Sequence, residues 1–177
     1  AQEQDVAMRL ARTVQEKLYP TVPPQVVGLD LAGAAYPAAR TCGDYYDFLP
    51  MADGRLGIAM GDVSGHGFGA ALLMAETRAY LRSVARASLN LNDMLSALNA
   101  FLFEDTESEQ FVTLMLVLLD PVRRSLVFSS AGHIDGYVID GSGELKHVLG
   151  ATGPALGLID GAEFPPSPEL LLDSGDL

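Results

Sequence analysis

Two aspartates, Asp44 and Asp62, flank the turn sequence Met51-Ala52-Asp53-Gly54. The residues on either side of that turn alternate with the period of a strand, so the segment reads as a hairpin. A hairpin centred near Asp53 sets Phe48 opposite Ile58, Tyr46 opposite Met60 and Asp44 opposite Asp62, with facing Cβ atoms ~5 Å apart. Tyr46, Phe48, Leu56, Ile58 and Met60 then share one apolar face with the two aspartates at its end, and Asp47 lies on the other face. Like charges about 5 Å apart cost roughly 3 kcal/mol at an effective dielectric of about 20. Either one carboxyl takes up a proton or a cation sits between them. Hard carboxylate oxygens select Mg²⁺, Mn²⁺ or Ca²⁺ over zinc. Two solvated carboxylates at strand ends would show the same spacing.

The loop after Asp62, Val63-Ser64-Gly65-His66-Gly67-Phe68-Gly69, carries three glycines ahead of a helical pattern. Glycines let backbone pass close to a ligand, and a helix start favours anions. The loop lacks the GK[ST] ending of a Walker A sequence and the context of a dinucleotide fingerprint. A nucleotide-binding enzyme is a poor fit.

Composition narrows the partners. The 177 residues hold 11 basic and 23 acidic side chains, a net charge of −12. That field repels nucleic acid and anionic lipid, so neither nucleic acid nor membrane is an expected partner. It repels a phosphorylated substrate too, unless a bound cation reverses the local sign. Cys42 is the sole cysteine, which rules out an internal disulfide and a zinc thiolate cluster. No apolar run nears the ~20 residues that cross a bilayer. The charged opening segment has no signal-peptide core. A cytoplasmic protein is expected.

The elements that position the aspartates follow from periodicity. Val6, Ala7, Leu10, Ala11, Val14 and Leu18 form a helical stripe over residues 4–18, ended by Pro20, Pro23 and Pro24. The stripe needs a cover, either its own domain or a second copy of the chain. Strands are expected over 26–36, 44–49, 55–63, 111–119, 125–130, 136–139 and 145–148, with a further start at Leu170–Leu172. Helices are expected over 69–88 and from Leu91 to Phe103. Segments 113–119 and 125–130 carry apolar residues on both faces, which suits a sheet covered on both sides. Strands, two helices, then strands again predict an α+β layered domain.

These residues also resemble a known family. CGDYYDF followed by GDVSGHGFGAALLMA is similar to the two N-terminal motifs of the PPM-type phosphatases, in the SpoIIE/RsbU-like bacterial branch. FVTLMLVLLD, SSAGHIDG, TGPALGL and LLLDSGDL match in order, and QEKLYPTVPP resembles the junction where a linker helix enters the catalytic domain. The resemblance implies two antiparallel β-sheets in a sandwich flanked by helices. It implies two Mg²⁺ or Mn²⁺ ions, with Asp62 bridging both, the Val63 carbonyl on one of them, and Asp44 in or next to the ligand shell. The ions would activate water for in-line attack on phosphorus, with no phospho-enzyme. The implied reaction is metal-dependent dephosphorylation of phosphoserine or phosphothreonine on a protein of the anti-sigma antagonist type. A sensor domain upstream is an expected partner, and a homodimer through the N-terminal helix is one of the two covers its apolar stripe allows.

The departures matter as well. Cys42 stands where the family has glycine, and Ser64 stands two residues after Asp62, where distant relatives carry a candidate acid histidine. His66 is a candidate acid against the plainer role of a loop residue. His133 is expected to be a turn residue and His147 a surface residue. The family continues into a TDG motif and a later aspartate, both metal-binding, beyond the point that Leu177 occupies. The expected organisation is therefore a linker or regulatory helix over 1–20 and a phosphatase domain over 21–177 that is C-terminally incomplete, lacking its last metal-binding strands. Trimming at both ends is expected, from Ala1 in place of an initiator Met and from the stop at Leu177. A catalytically silent binding module is the competing function. Asp47→Ala is expected to harm activity less than Asp44→Ala, because the register puts Asp47 on the other face.

Overall fold

The computed structural model describes residues 2–36, 43–106 and 110–177. Cys42 lies outside the described residues. The elements are α1 (Gln2–Glu16), β1 (Tyr45–Pro50), β2 (Leu56–Val63), α2 (Phe68–Ala87), α3 (Leu91–Asp105), β3 (Val112–Asp120), β4 (Ser125–Ala131), β5 (Gly136–Ile139), β6 (Leu145–Leu149) and β7 (Leu170–Leu171). Five strands form one antiparallel sheet in the order β1-β2-β3-β4-β7, and β5 pairs with β6 in a second.

The central strand β3 explains the layering. Alternate side chains of a strand point to opposite faces. Leu114, Leu116 and Leu118 join Met74 and Leu81 of α2 and Leu95, Leu98 and Leu102 of α3 in one core. Met115 and Leu119 point the other way, into a second core with Phe48, Leu56, Phe128, Val138 and Leu149. Helices thus cover one face and the β5–β6 hairpin the other, as the doubly apolar strands required. Leu116 is fully buried in the first core. Leu116→Ala should cost about 2–5 kcal/mol, through lost transfer energy and an unfilled cavity. Urea unfolding monitored by circular dichroism measures it.

Helix boundaries follow capping. The Asn90 side chain accepts a hydrogen bond from the Asp93 N–H at 3.2 Å, which starts α3. Gly67, at φ 83°, precedes α2 with no side-chain cap. The long tail between β6 and β7 has no strand, yet Asn99 of α3 holds it. Its Nδ2 donates to the Ile159 carbonyl and its Oδ1 accepts from the Gly157 N–H.

The strand expected over 26–36 does not form. The Leu29 N–H donates to the Val26 carbonyl, and Gly28 between them takes φ 83°. That tight turn ends extended pairing after an isolated bridge. Val26, Leu29 and Leu31 still pack on the second core, which accounts for their apolar character.

Helix α1 docks on its own domain only in part. Gln15 is buried and Leu18 packs on the first core. Val6, Leu10 and Val14 remain 57–64% exposed, and Leu10 and Val14 line an apolar groove with Phe68, Ala71 and Leu72 of α2. Among the described residues no helix is long and apolar enough to cross a membrane.

Candidate metal centre

The β1–β2 ladder pairs Phe48 with Ile58, Tyr46 with Met60 and Tyr45 with Gly61. The Val63 N–H then donates to the Gly43 carbonyl at 3.3 Å, so the ladder runs on past Asp44 and sets it across from Asp62. This is the register expected from the turn. Both aspartates stand at the accessible end of the hairpin, and Asp62 itself pairs with Thr113 of β3.

The electrostatics show the anticipated conflict. Burial raises the Asp62 carboxyl above the ordinary aspartate value, and the Asp44 charge raises it further, against the lowering effects of the Val63 N–H and His133. Two oxygens converge beside Gly43. A side-chain carbon placed on Gly43 would lie 2.9 Å from the Val63 carbonyl oxygen and 3.0 Å from Asp62 Oδ1. Glycine is thus required there by close approach, and it leaves two hard oxygen donors facing one point. A carboxylate, a carbonyl and the Asp44 carboxylate suit Mg²⁺ or Mn²⁺. Among the described residues no cluster of three or more His, Cys, Asp or Glu side chains could hold a metal ion.

The surrounding backbone is tied down on several sides. The Tyr19 hydroxyl donates to the Asp44 carbonyl at 2.6 Å, and the Tyr19 ring stacks on Tyr46 at 5.6 Å. The segment leaving α1 therefore touches the backbone of Asp44. Ser64 staples the glycine loop to the start of β3: its N–H donates to the Phe111 carbonyl, and its Oγ accepts from the Phe111 N–H, each at 2.9 Å. The hydroxyl is engaged in holding the loop. His66 is exposed on that loop, and His147 is half-buried on β6.

His133 is more than a turn residue. It follows β4, whose Ala131 pairs with Leu114, so the chain returns beside the Asp62–Thr113 pair. Its Nδ1 lies 2.9 Å from Thr113 Oγ1, and Thr113 Oγ1 donates to the Asp62 carbonyl at 3.3 Å. Desolvation lowers its pKa, opposed by the charges of Asp62 and Asp44. The sequence reading takes it for a turn residue, because its place beside Asp62 depends on two strand pairings, β2 with β3 and β3 with β4. The Ser-Ala-Gly-His ending of β4 is the available signal.

Asp47 lies on the opposite face, fully buried. Arg82 Nε donates to its Oδ2 at 2.6 Å, Arg82 Nη2 donates to its Oδ1 at 2.7 Å, and the Tyr45 hydroxyl donates to Oδ2 at 2.9 Å. Burial first, then the Asp47 charge, push the Tyr45 hydroxyl well above its ordinary value. The group clamps α2 to β1.

Comparison with known proteins gives a consistent set. The family model described as Stage II sporulation protein E (SpoIIE) matches residues 52–177. Phosphoserine phosphatase RsbU of Bacillus subtilis is 28% identical over 157 residues, which cover 89% of this chain and 47% of that protein. This chain thus spans less than half of that relative's length. The solved RsbU and RsbW domains of Rv1364c from Mycobacterium tuberculosis are 30% identical, with a TM-score of 0.66, over 81% of this chain and 39% of that one. The SiaA-PP2C domain of Pseudomonas aeruginosa superposes on 99% of this chain and 70% of its own, at a TM-score of 0.78 and 23% identity. The α+β fold with antiparallel sheets is that of these PP2C domains.

Proposed function

We propose that this chain, which belongs to the Stage II sporulation protein E (SpoIIE) family, hydrolyses phosphoserine or phosphothreonine on a signalling protein, using divalent cations held by Asp62, Asp44 and the Val63 carbonyl. The observation that carries this is the convergence of Asp62 Oδ1 and the Val63 carbonyl beside Gly43, with Asp44 across the ladder. PP2C-type phosphatases are metal-dependent. A bound Mg²⁺ or Mn²⁺ supplies an activated water and neutralises phosphoryl oxygens. Asp62 and Asp44 hold net negative charge at the mouth, so a phosphate approaches only where that charge is offset. Gly43 keeps side-chain bulk out of the site. Ser64 and Tyr19 hold the loop and the Asp44 backbone in place.

Residues 21–177 would form the catalytic unit and residues 1–20 a regulatory helix. The similarity to phosphoserine phosphatase RsbU supports phosphoserine as the group cleaved, and an anti-sigma antagonist as substrate, a cytoplasmic setting and a sensor domain upstream are proposed with it. Exposed Val6, Leu10 and Val14 support a homodimer through α1. Light scattering should give twice the chain mass, falling to the monomer mass when residues 1–20 are removed. An unchanged mass would remove the dimer.

The test is hydrolysis of p-nitrophenyl phosphate and of a phosphoseryl peptide with Mn²⁺ or Mg²⁺, with and without EDTA. Metal-dependent turnover is expected. No turnover with either ion would favour a catalytically silent docking module, the second reading, which the small set of ligating side chains among the described residues also supports.

A binding signal should accompany activity. The Asp62 pKa is raised in the folded chain, so its ionisation weakens the fold as pH rises through that value. A cation relieves the repulsion. Mn²⁺ at about 100 times its Kd should add about 2.7 kcal/mol at neutral pH, or roughly 5–10 °C in Tm for a domain of this size. The gain should fade as pH drops through the raised Asp62 value, because protons then compete with the ion. Differential scanning fluorimetry across pH checks it.

A further inference from the structure

We propose that His133 is a catalytic residue whose Nε2 accepts a hydrogen bond from the attacking water, and that Thr113 fixes the imidazole tautomer this requires. The proposal rests on the phosphatase reading above. It starts from donor bookkeeping. A carbonyl can only accept, so on this assignment the one hydroxyl proton of Thr113 goes to the Asp62 carbonyl at 3.3 Å, the longer of its two contacts. Thr113 Oγ1 can then only accept from His133 Nδ1, 2.9 Å away. The chain runs from His133 Nδ1–H through Thr113 O–H to the Asp62 carbonyl. A neutral imidazole with its proton on Nδ1 carries a lone pair on Nε2.

The ring is half-buried and lies 2.9 Å from Thr113, the residue that pairs with Asp62 across the β2–β3 ladder, so it stands beside the carboxylate pair. The two carboxylates are acceptors as well, but a cation held between them would draw on their oxygens. An imidazole lone pair is a neutral acceptor, able to accept a hydrogen bond from the water and turn the oxygen lone pair toward phosphorus. The same strand pairing that sets Asp62 against Thr113 sets the acceptor, so ligand and acceptor share one rigid ladder. Orientation of this kind is a recognised source of rate, since a reacting atom held in line converts a diffusive encounter into an internal step.

Two measurements test this together. Long-range ¹H–¹⁵N correlation spectra of the histidine ring should show His133 with its proton on Nδ1. Thr113→Val, close in shape, should move it to the Nε2–H form that free side chains prefer. In turnover, His133→Ala should lower kcat about 100-fold with KM within twofold. Thr113→Val should lower kcat about tenfold, the loss expected for one hydrogen bond. Mn²⁺ affinity by calorimetry should stay within twofold in both variants. A wild-type Nε2–H tautomer overturns the proposal whatever the kinetics. So does wild-type kcat in His133→Ala. A tenfold or larger loss of Mn²⁺ affinity in His133→Ala overturns it in favour of a ligand role. A wild-type chain without turnover removes the phosphatase reading instead, and with it this proposal, even where the tautomer is as expected.

Discussion

Asp62→Ala should remove metal-dependent turnover, by on the order of 10³-fold, equivalent to about 4 kcal/mol of transition-state stabilisation. Asp62 Oδ1 converges with a second oxygen donor, the Val63 carbonyl, at the point next to Gly43. Its removal takes away both the main ligand charge and the reason for a cation to reside there. Transition-state charge on a phosphoryl group would then meet only the protein's net charge of −12. Calorimetry should show Mn²⁺ binding lost in step with activity. The apo chain should be no less stable, since the variant relieves repulsion with Asp44. Retained metal-dependent turnover in Asp62→Ala would sink the assignment of this centre.

Asp47→Ala is expected to act on stability instead. Asp47 is fully buried and accepts from Arg82, the Tyr45 hydroxyl and the Phe48 N–H. Breaking a buried pair leaves an uncompensated group behind, which costs about 3–5 kcal/mol. Arg82 is 40% exposed at its side chain, so solvent screening puts the cost near the low end, about 3 kcal/mol. That corresponds to a Tm lower by roughly 10 °C. Replacing Arg82 by Met in the same chain should recover part of the loss, because only Arg78, 3.9 Å from Asp47, is then left without its carboxylate. Below its Tm, Asp47→Ala should keep more turnover than Asp44→Ala, which lies on the site face of the same hairpin. Thermal melts and turnover on both variants check the contrast. A larger activity loss in Asp47→Ala than in Asp44→Ala would mean that α2 seating controls the site.

Local pattern was sufficient for much of the molecule. Turn chemistry at Met51–Gly54 and period-2 alternation set the β1–β2 register to the residue, because slipping by one would turn Tyr46 and Phe48 away from their core. The doubly apolar β3 and β4 announced a sheet covered on both faces. Helix limits at α2 and α3 fell within two residues of those expected, since Gly67 and Asn90 mark their starts. The aspartate pair was legible because both members lie in one hairpin. The segment 26–36 misled because buried Val and Leu look alike in a strand and in a coil that packs on a core, and only the Gly28 turn separates them.

What the tertiary structure decided is everything that depends on groups far apart in the chain. His133 reaches the centre through the pairing of β2 with β3 and β3 with β4, and no window of sequence holds all three. Asp47 is a clamp because Arg82 lies 35 residues away on a helix packed across β1. Tyr19 touches Asp44 from 25 residues away. Short-range sterics and alternation are encoded residue by residue, whereas the partner of a buried charge or an imidazole is chosen by packing. Only the packed chain fixes that choice.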